Sequence, residues 1–348
     1  MARLSFTERF PFLRPLRVFQ RRLFFYLGMR LDGRRYCRAH SAQDLSHLVY
    51  TSASPLYNRE TGFPMLYQEN KVHNLRLAAR KLDGLLLRPG ETFSFYRAVR
   101  GADRDEPYRD GLTVVDGRLI TAPGGGMCQM SNLLFWLFLH APLRVVERHG
   151  HRVKDFPDPP SDAPRGVDAT LYEGWLDLKV LNPTETTYEI RLDFADGALV
   201  GRLLADRDDG LTLEVRNGEV AYVRRGGEIY EEADVLRRVL DRRTGGCLRE
   251  ETLYRNVCRV GYDLPAGTPV REEPLEGGKE VSLQSAAAVL RNLDRERFRP
   301  LPVGISRKGD WFLFSGSEAA IEDGSWLSLP ECARCALLSD RSARALLV

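Results

Sequence analysis

Residues 124–139 have the sequence GGGMCQMSNLLFWLFL, and this stretch decides the fold class. Every position from Leu133 to Leu139 is apolar, which predicts a helix that is buried on all sides. Pro142 follows and ends the helix, because proline cannot continue it. Strand candidates fill residues 140–225. We therefore expect an α+β fold in which an antiparallel sheet packs on a buried central helix.

Upstream of this helix, the sequence predicts a second helix, a strand and a hairpin. Over residues 70–87 apolar residues recur at steps of three and four, with Lys and Arg between them. Residues 92–96 alternate between apolar and polar, as in a half-buried strand. Asp116-Gly117 lies between two apolar runs, which is a hairpin signal.

Downstream of the helix, short strand candidates alternate with turn residues. They are residues 144–153, the pair 169–172 and 176–181 around Glu173-Gly174, and the pair 188–194 and 198–204 around Asp196-Gly197. An acidic residue followed by glycine is typical of hairpin turns. The predicted sheet is therefore built from consecutive antiparallel strands.

These patterns divide the chain into three regions. Residues 1–60 are predicted to be a basic helical N-terminal region with more than one helix, and residues 61–263 an α+β domain. Residues 264–348 are predicted to be a small C-terminal extension of unknown fold, since linker-like Pro and Gly residues begin there. Within that extension we expect a helix over residues 282–293, an apolar run at 311–314 and a last helix from Pro330.

Composition and charge limit the possible functions. The 348 residues carry a formal net charge of +3, which does not indicate nucleic-acid binding. The longest apolar run near the N-terminus, residues 23–27, is too short for a signal peptide or a membrane span. We interpret the Arg-rich residues 3–38 as a helix that covers the core with its arginines in water. The alternative is peripheral contact with a membrane surface.

The six cysteines are few and irregularly spaced for so long a chain, so they do not predict a disulfide scaffold. With no export signal, we expect a cytoplasmic protein with reduced thiols. The CxxC of Cys332 and Cys335, at the start of a predicted helix, lacks both a thioredoxin context and a partner CxxC for zinc. We interpret it as a chance occurrence or a minor site.

The glycine turn before Cys128 is suited to thiol chemistry. The first turn of a helix leaves backbone N–H groups without partners, and these groups stabilise a nearby negative charge. A thiol there has a lowered pKa, and the same N–H groups can bind an oxyanion. Cys128 is therefore a candidate nucleophile. Gly124, Gly125, Gly126 and Gln129 are candidate substrate-binding residues.

A thiol nucleophile also needs a base and a group that orients the base. If residues 145–153 form a strand, His149 and His151 share one face and both point toward Cys128. We predict that His151 is the general base and that Asp168 orients it. This order of nucleophile, base and carboxylate is similar to transglutaminase-like and papain-like thiol enzymes, an analogy of arrangement only.

Two other functions fit the same residues. In a non-catalytic binding module, the glycine turn and Arg148 would hold a peptide carboxylate, with His149 as a further binding residue. In a zinc site, Cys128, His149 and His151 would supply three ligands and leave the fourth position open. We favour the thiol enzyme, and we expect neither a metal nor a cofactor.

The chain resembles the VanW family over roughly residues 15–260. The motifs that carry the resemblance are residues 70–75 (NKVHNL), 87–95 (LRPGETFSF), 124–134 (GGGMCQMSNLL), 147–151 (ERHGH), 168–172 (DATLY) and 177–182 (DLKVLN). The family is named for an accessory protein of vancomycin-resistance gene clusters, and the resemblance implies a link to cell-wall peptides or to the glycopeptide response. The glycine turn, Cys128 and the downstream histidines add the expectation of acyl transfer or amide hydrolysis, on a peptide or peptidoglycan-related substrate. Short family members have Gly-Ala in place of Asp168-Ala169.

Overall fold

A computed structural model gives the fold of the chain. It describes residues 12, 14–115, 118–158, 161–273, 278–294, 298, 300–306, 310–337 and 346–347. The chain forms two compact units, Met1–Arg271 and Glu272–Val348. The fold is α+β, with many strands and few helices, which confirms the predicted class at this level.

The buried central helix of the first unit is α4 (Cys128–Leu139). Leu134, Phe135 and Leu137 have no exposed surface, as the apolar run at the end of the helix predicts. It packs on strands β2 (His47–Pro55) and β11 (Ala198–Ala205). Gly201 lets this contact be close, since a Cβ there would lie 2.8 Å from a methyl carbon of Leu137.

The other helices and short strands of this unit precede or follow α4. They are α1 (Arg14–Leu31), β1 (Arg35–Tyr36), α2 (Met65–Leu82), β3 (Leu86–Leu87), β4 (Glu91–Ser94), α3 (Phe95–Ala98), β5 (Asp110–Val115), β6 (Arg118–Pro123), β7 (Arg144–Glu147), β8 (Val153–Lys154) and β9 (Lys179–Leu181). A 3₁₀ turn lies at Arg59–Thr61. No helix within the described ranges is long and apolar enough to cross a membrane.

The longer strands complete the unit. They are β10 (Tyr188–Ala195), β11, β12 (Leu211–Arg225), β13 (Glu228–Asp241) and β14 (Cys247–Val260), with the short β15 (Val270–Glu272). Three sheets result, with strand orders β1-β4-β9-β7, β2-β11-β10-β3 and β15-β12-β13-β14-β8, beside a separate β5-β6 hairpin. Asp196 and Gly197 both have positive φ, so the predicted β10–β11 turn is confirmed. The turn residues Asp116-Gly117 of the β5–β6 hairpin lie outside the described residues.

Several predicted elements are wrong. Residues 1–60 are not helical throughout, because His47–Pro55 forms a nine-residue strand that pairs with β11. Residues 140–225 do not form one sheet, since their strands belong to three sheets whose partners come from distant parts of the chain. Residues 169–172 contain no strand beyond an isolated bridge. Pairing between distant segments decides which of these residues form strands and in which sheet. The local sequence pattern carries no information about that pairing.

The second unit has its own small core. Its elements are α5 (Gly278–Asn292), β16 (Val303–Ile305), β17 (Trp311–Phe314), α6 (Glu318–Glu322), a 3₁₀ turn at Ser325–Ser328, β18 (Cys332–Arg334), β19 (Ala336–Leu337) and β20 (Leu346–Leu347). Ala287, Phe314 and Trp326 are buried together. The predicted last helix from Pro330 is wrong, because Cys332–Arg334 pairs with β17 as a strand. The cysteines at 332 and 335 are both free.

Candidate active site

The glycine turn that leads into α4 is fixed by close backbone contacts. Gly124 and Gly126 have φ of 79° and 89°, which favour glycine. A Cβ on Gly125 would lie 2.1 Å from the carbonyl oxygen of Gly111 on β5. The side-chain amide of Asn74 donates to the Gly125 carbonyl at 3.1 Å. The three glycines therefore allow the tight backbone turn that places Cys128 at the start of the helix.

Cys128, His151 and Asp168 form a chain of contacts. The Cys128 thiol and the His151 side chain are near enough that each shifts the pKa of the other. His151 Nδ1 lies 2.6 Å from Asp168 Oδ2, so Nε2 is the ring nitrogen that this contact does not use. The thiol is half-buried, and 25% of the His151 side chain is exposed. The structure thus brings the three predicted residues together, in the predicted order, at a place that solvent reaches.

The ionisation of the three groups is coupled. Burial opposes the Cys128 thiolate, but the hydrogen bond and charge of His151, with the Leu171 backbone N–H, outweigh it and lower the pKa of the thiol. Burial also opposes the imidazolium, but Asp168 and Cys128 raise the pKa of His151 to about 10. Both shifts favour a thiolate–imidazolium pair at neutral pH.

Asp168 is held in place by α4 and by Arg148. Ser131 Oγ donates to the Ala169 carbonyl at 2.5 Å, and Asn132 Oδ1 accepts from the Ala169 N–H at 2.7 Å. The Arg148 guanidinium forms an ion pair with Asp168 Oδ1. Despite burial, His151 and then Arg148 keep the pKa of Asp168 below its usual range. The carboxylate is therefore ionised and oriented toward the His151 ring.

Arg148 is engaged with the protein itself. Besides Asp168, it donates to the Gly166 carbonyl at 2.9 Å and to Asn256 Oδ1 at 3.0 Å. Its guanidinium also lies 4.3 Å from the centre of the Tyr254 ring. These contacts use the guanidinium N–H groups of Arg148 that were expected to bind a substrate carboxylate. Arg148 thus positions Asp168 in this structure.

His149 and Gln129 point away from the thiol. His149 Nε2 lies 3.2 Å from Glu147 Oε1. Strand β7 ends at Glu147, so His149 and His151 occupy a loop and do not share a strand face, contrary to the prediction. The Gln129 amide donates to Ser54 Oγ at 2.9 Å and to the Pro55 carbonyl at 2.8 Å. It therefore ties α4 to β2.

The zinc interpretation of Cys128, His149 and His151 is not supported by this arrangement. His149 faces Glu147, while His151 is shared between Cys128 and Asp168. Across the part of the chain that the structure describes, no three His, Cys, Asp or Glu side chains are grouped as metal ligands. A zinc site with an open fourth position needs about three such ligands around one point.

Lys71 is a residue of this region whose charge the sequence did not single out. A Cβ on Gly126 would lie 2.2 Å from Lys71 Cγ, so the lysine stem packs directly on the glycine turn. Its ammonium donates to Gln68 Oε1 at 2.8 Å. Burial lowers the pKa of Lys71 to about 8. Within the described ranges no carboxylate forms an ion pair with it.

Two hydroxyls near the turn also escaped sequence analysis. The Tyr108 ring lies 3.4 Å from the position of a Cβ on Gly124. Thr170 follows Ala169 and precedes Leu171, whose backbone N–H helps to lower the pKa of the Cys128 thiol. Both hydroxyl oxygens are buried and have no partner among the described residues. Buried hydroxyls normally have partners, so these two are exceptions next to the glycine turn and the thiol. No local pattern in the sequence marks either one.

Comparison with known proteins identifies the family. A model of the family "VanW like protein" matches residues 70–204. The vancomycin B-type resistance protein VanW of Enterococcus faecalis is 51% identical over 272 residues, which are 78% of this chain and 99% of that protein. The chain belongs to the VanW family. An uncharacterised protein of Bacillus subtilis, YoaR, is 32% identical over 132 residues, 38% of this VanW family chain and 42% of YoaR.

A second similarity is shorter. A D-alanine–D-alanine ligase of Clostridium acetobutylicum is 51% identical over 47 residues, which are 14% of the VanW family chain and 14% of the ligase. A ligase of Thermoanaerobacter is 44% identical over 50 residues, also 14% of each chain. No solved structure matches. The family membership therefore rests on sequence, and the geometry of the site on this structure.

Proposed function

We propose that this VanW family protein is a thiol enzyme that transfers or hydrolyses an acyl group. The observation that carries the proposal is the contact chain from Cys128 through His151 to Asp168 at the start of α4. Nucleophile, base and orienting carboxylate are the three parts that such catalysis needs. The lowered pKa of Cys128 and the raised pKa of His151 support the reactive ion pair.

The reaction follows from these groups. The Cys128 thiolate attacks the carbonyl carbon of an amide, and the carbonyl electrons move onto oxygen. The N–H groups of Gln129 and Met130 donate to the carbonyls of Gly126 and Met127, so we assign the stabilisation of that oxyanion to the Cys128 N–H at the helix start. The His151 imidazolium then gives its proton to the departing amine as the C–N bond breaks. A thioester remains, and water or an acceptor amine, deprotonated by His151, releases the acyl group and restores the thiol.

The order of these residues also supports a transglutaminase- or papain-like arrangement. The nucleophile begins a central buried helix, and the base and carboxylate follow it along the chain. This part of the proposal concerns arrangement and not ancestry.

The substrate we propose is a peptide related to peptidoglycan, attacked at an amide bond. Two similarities support this class: the vancomycin-resistance relative and the short segments shared with D-alanine–D-alanine ligases. Peptides that end in D-alanine are therefore the first compounds to test.

The test incubates the full chain with peptidoglycan stem peptides ending in D-alanine and follows amide cleavage or exchange by mass spectrometry. Cys128→Ser should lower turnover by at least about a thousandfold, as for removal of a catalytic nucleophile. The matched control is Cys247→Ser, at an exposed free cysteine, which should leave turnover unchanged. Full turnover by Cys128→Ser would end the proposal. Peptide binding without turnover by the unmodified chain would favour the binding-module alternative.

A further inference from the structure

The outward face of α1 carries an apolar stripe. Leu16, Phe19, Leu23, Leu27 and Leu31 follow one another at steps of three or four, so they lie on one side of the helix. Their exposed fractions run from 41% for Leu27 to 76% for Leu31. Single exposed apolar residues are ordinary, but a contiguous row of large ones marks an interaction surface.

The opposite face of α1 is the one that contacts the rest of its unit. Met29 is buried, with the Ser94 hydroxyl 3.8 Å from its sulfur. The Tyr26 hydroxyl donates to Glu173 at 2.8 Å, and the Arg21 guanidinium lies 4.3 Å from the centre of the Trp175 ring. The exposed stripe contradicts the expectation that this helix covers the core with its apolar side, whereas Arg22 and Arg30 lie in water as expected. Its stripe is exposed while its other side is already docked.

A cluster of arginines lies beside this helix. The Arg100 guanidinium is 4.6 Å from the centre of the Tyr26 ring on α1, and that of Arg97 is 4.8 Å from the Tyr36 ring on β1. Arg30 and Arg38 are close enough that, with burial as the larger cause, they lower the pKa of Arg97. The first turn of α1 holds no acidic residue. An apolar stripe and a cationic cluster therefore occur together.

We propose that this face of α1 docks on an anionic lipid surface. The five apolar side chains of the stripe enter the boundary between headgroups and acyl chains, and the arginine cluster meets lipid phosphates. This combination of an exposed apolar face with clustered arginine is what interfacial helices use. A second copy of the chain fits less well, because a symmetric pair would bring two arginine clusters toward each other. The proposal does not depend on the catalytic one.

The experiment measures co-sedimentation of the full chain with vesicles of phosphatidylcholine, with and without phosphatidylglycerol. Phe19→Asp with Leu23→Asp tests the stripe, and Arg30→Gln with Arg38→Gln tests the cluster. The matched control is Leu248→Asp, because Leu248 is 62% exposed and lies on β14, outside the stripe and the arginine cluster. Thermal unfolding of each variant shows that it is folded, and size-exclusion chromatography with light scattering gives its oligomeric state.

We expect binding to the vesicles that contain phosphatidylglycerol, weakened at least tenfold by the stripe variant. Each arginine removed should weaken binding about fivefold. The control should bind like the unmodified chain. Equal binding by all variants, or no binding to either vesicle, would overturn the proposal. A dimer that the stripe variant abolishes, without vesicle binding, would instead assign the face to a second copy.

Discussion

The catalysis proposed for this site depends on the protonation states of Cys128 and His151. A thiolate with lowered pKa, paired to an imidazolium with raised pKa, exists below the pH at which an ordinary thiol ionises. The pair forms as pH rises through the thiol pKa and is lost as pH rises through about 10, where His151 loses its proton. The reactive window therefore includes neutral pH.

This window gives the first prediction. The rate of iodoacetamide alkylation at Cys128, followed by peptide mass spectrometry, should change little between pH 8 and pH 6. A free thiol with a pKa of about 8.5 loses roughly tenfold per pH unit in that range. His151→Gln should restore the ordinary dependence, because it removes the imidazolium. A rate for the unmodified protein that falls like that of a free thiol would contradict the ion pair.

The charge of Lys71 gives the second prediction, since its stem packs on Gly126. Below its pKa of about 8 the ammonium should draw an anionic reagent toward the glycine turn before Cys128. Lys71→Met should lower the ratio of iodoacetate to iodoacetamide rates at Cys128 by about fivefold at pH 6, from roughly 1 kcal/mol of attraction. The ratio of the unmodified protein should fall as pH rises through 8.

The matched control for Lys71 is Lys81→Met, an exposed lysine in the last turn of the same helix. It should leave the ratio unchanged. If Lys71→Met also leaves the ratio of iodoacetate to iodoacetamide rates unchanged, the Lys71 ammonium does not attract anionic reagents to Cys128.

At the scale of elements, the turn between β6 and α4 depends on backbone contact. Gly125 and Gly111 face each other so closely that a Cβ on either would overlap backbone atoms of the other. Backbone cannot move aside as a side chain can. We therefore expect Gly125→Ala to lower the free energy of unfolding by about 1–3 kcal/mol or more, measured by urea denaturation.

The control for this third prediction is Gly28→Ala in α1, where a Cβ would meet nothing within 4 Å. Alanine there should be neutral or stabilise by up to about 1 kcal/mol. If Gly125→Ala is as stable as Gly28→Ala, the close contact between β5 and the turn is not the reason for the glycine.

At the scale of the whole molecule, the contacts of the candidate site lie within one compact unit. The partners of Cys128, His151 and Asp168 include Arg148, Leu171 and residues of α4, all inside Met1–Arg271. The Enterococcus faecalis relative matches over 272 residues, nearly its full length. A chain ending at Arg271 should therefore fold and alkylate at Cys128 within about twofold of the full chain's rate. A tenfold slower rate, in a chain shown to be folded by circular dichroism, would mean that the second unit shapes the site.

The sequence determined those features that depend on residue type and local order. The apolar run of α4 predicted a buried helix, and Asp196-Gly197 predicted a turn between neighbouring strands. The glycines before Cys128 predicted a backbone turn that other residues rarely adopt. Residue type and local order also predicted Cys128, His151 and Asp168. A cysteine at a helix start, followed along the chain by a histidine and a carboxylate, is the set of groups that thiol catalysis needs. Family membership also follows from sequence alone.

Only the tertiary structure decided which side chains meet. Nothing near Arg148 in the chain indicates that Asn256 and Tyr254 occupy its guanidinium, more than one hundred residues away. Nothing near His47–Pro55 indicates a partner at residues 198–205. Likewise, Lys71 meets Gly126, and α1 turns its apolar stripe outward, because packing between distant segments fixes each position. Local propensity holds no information on such pairings, since their free energy comes from contacts that form only on folding.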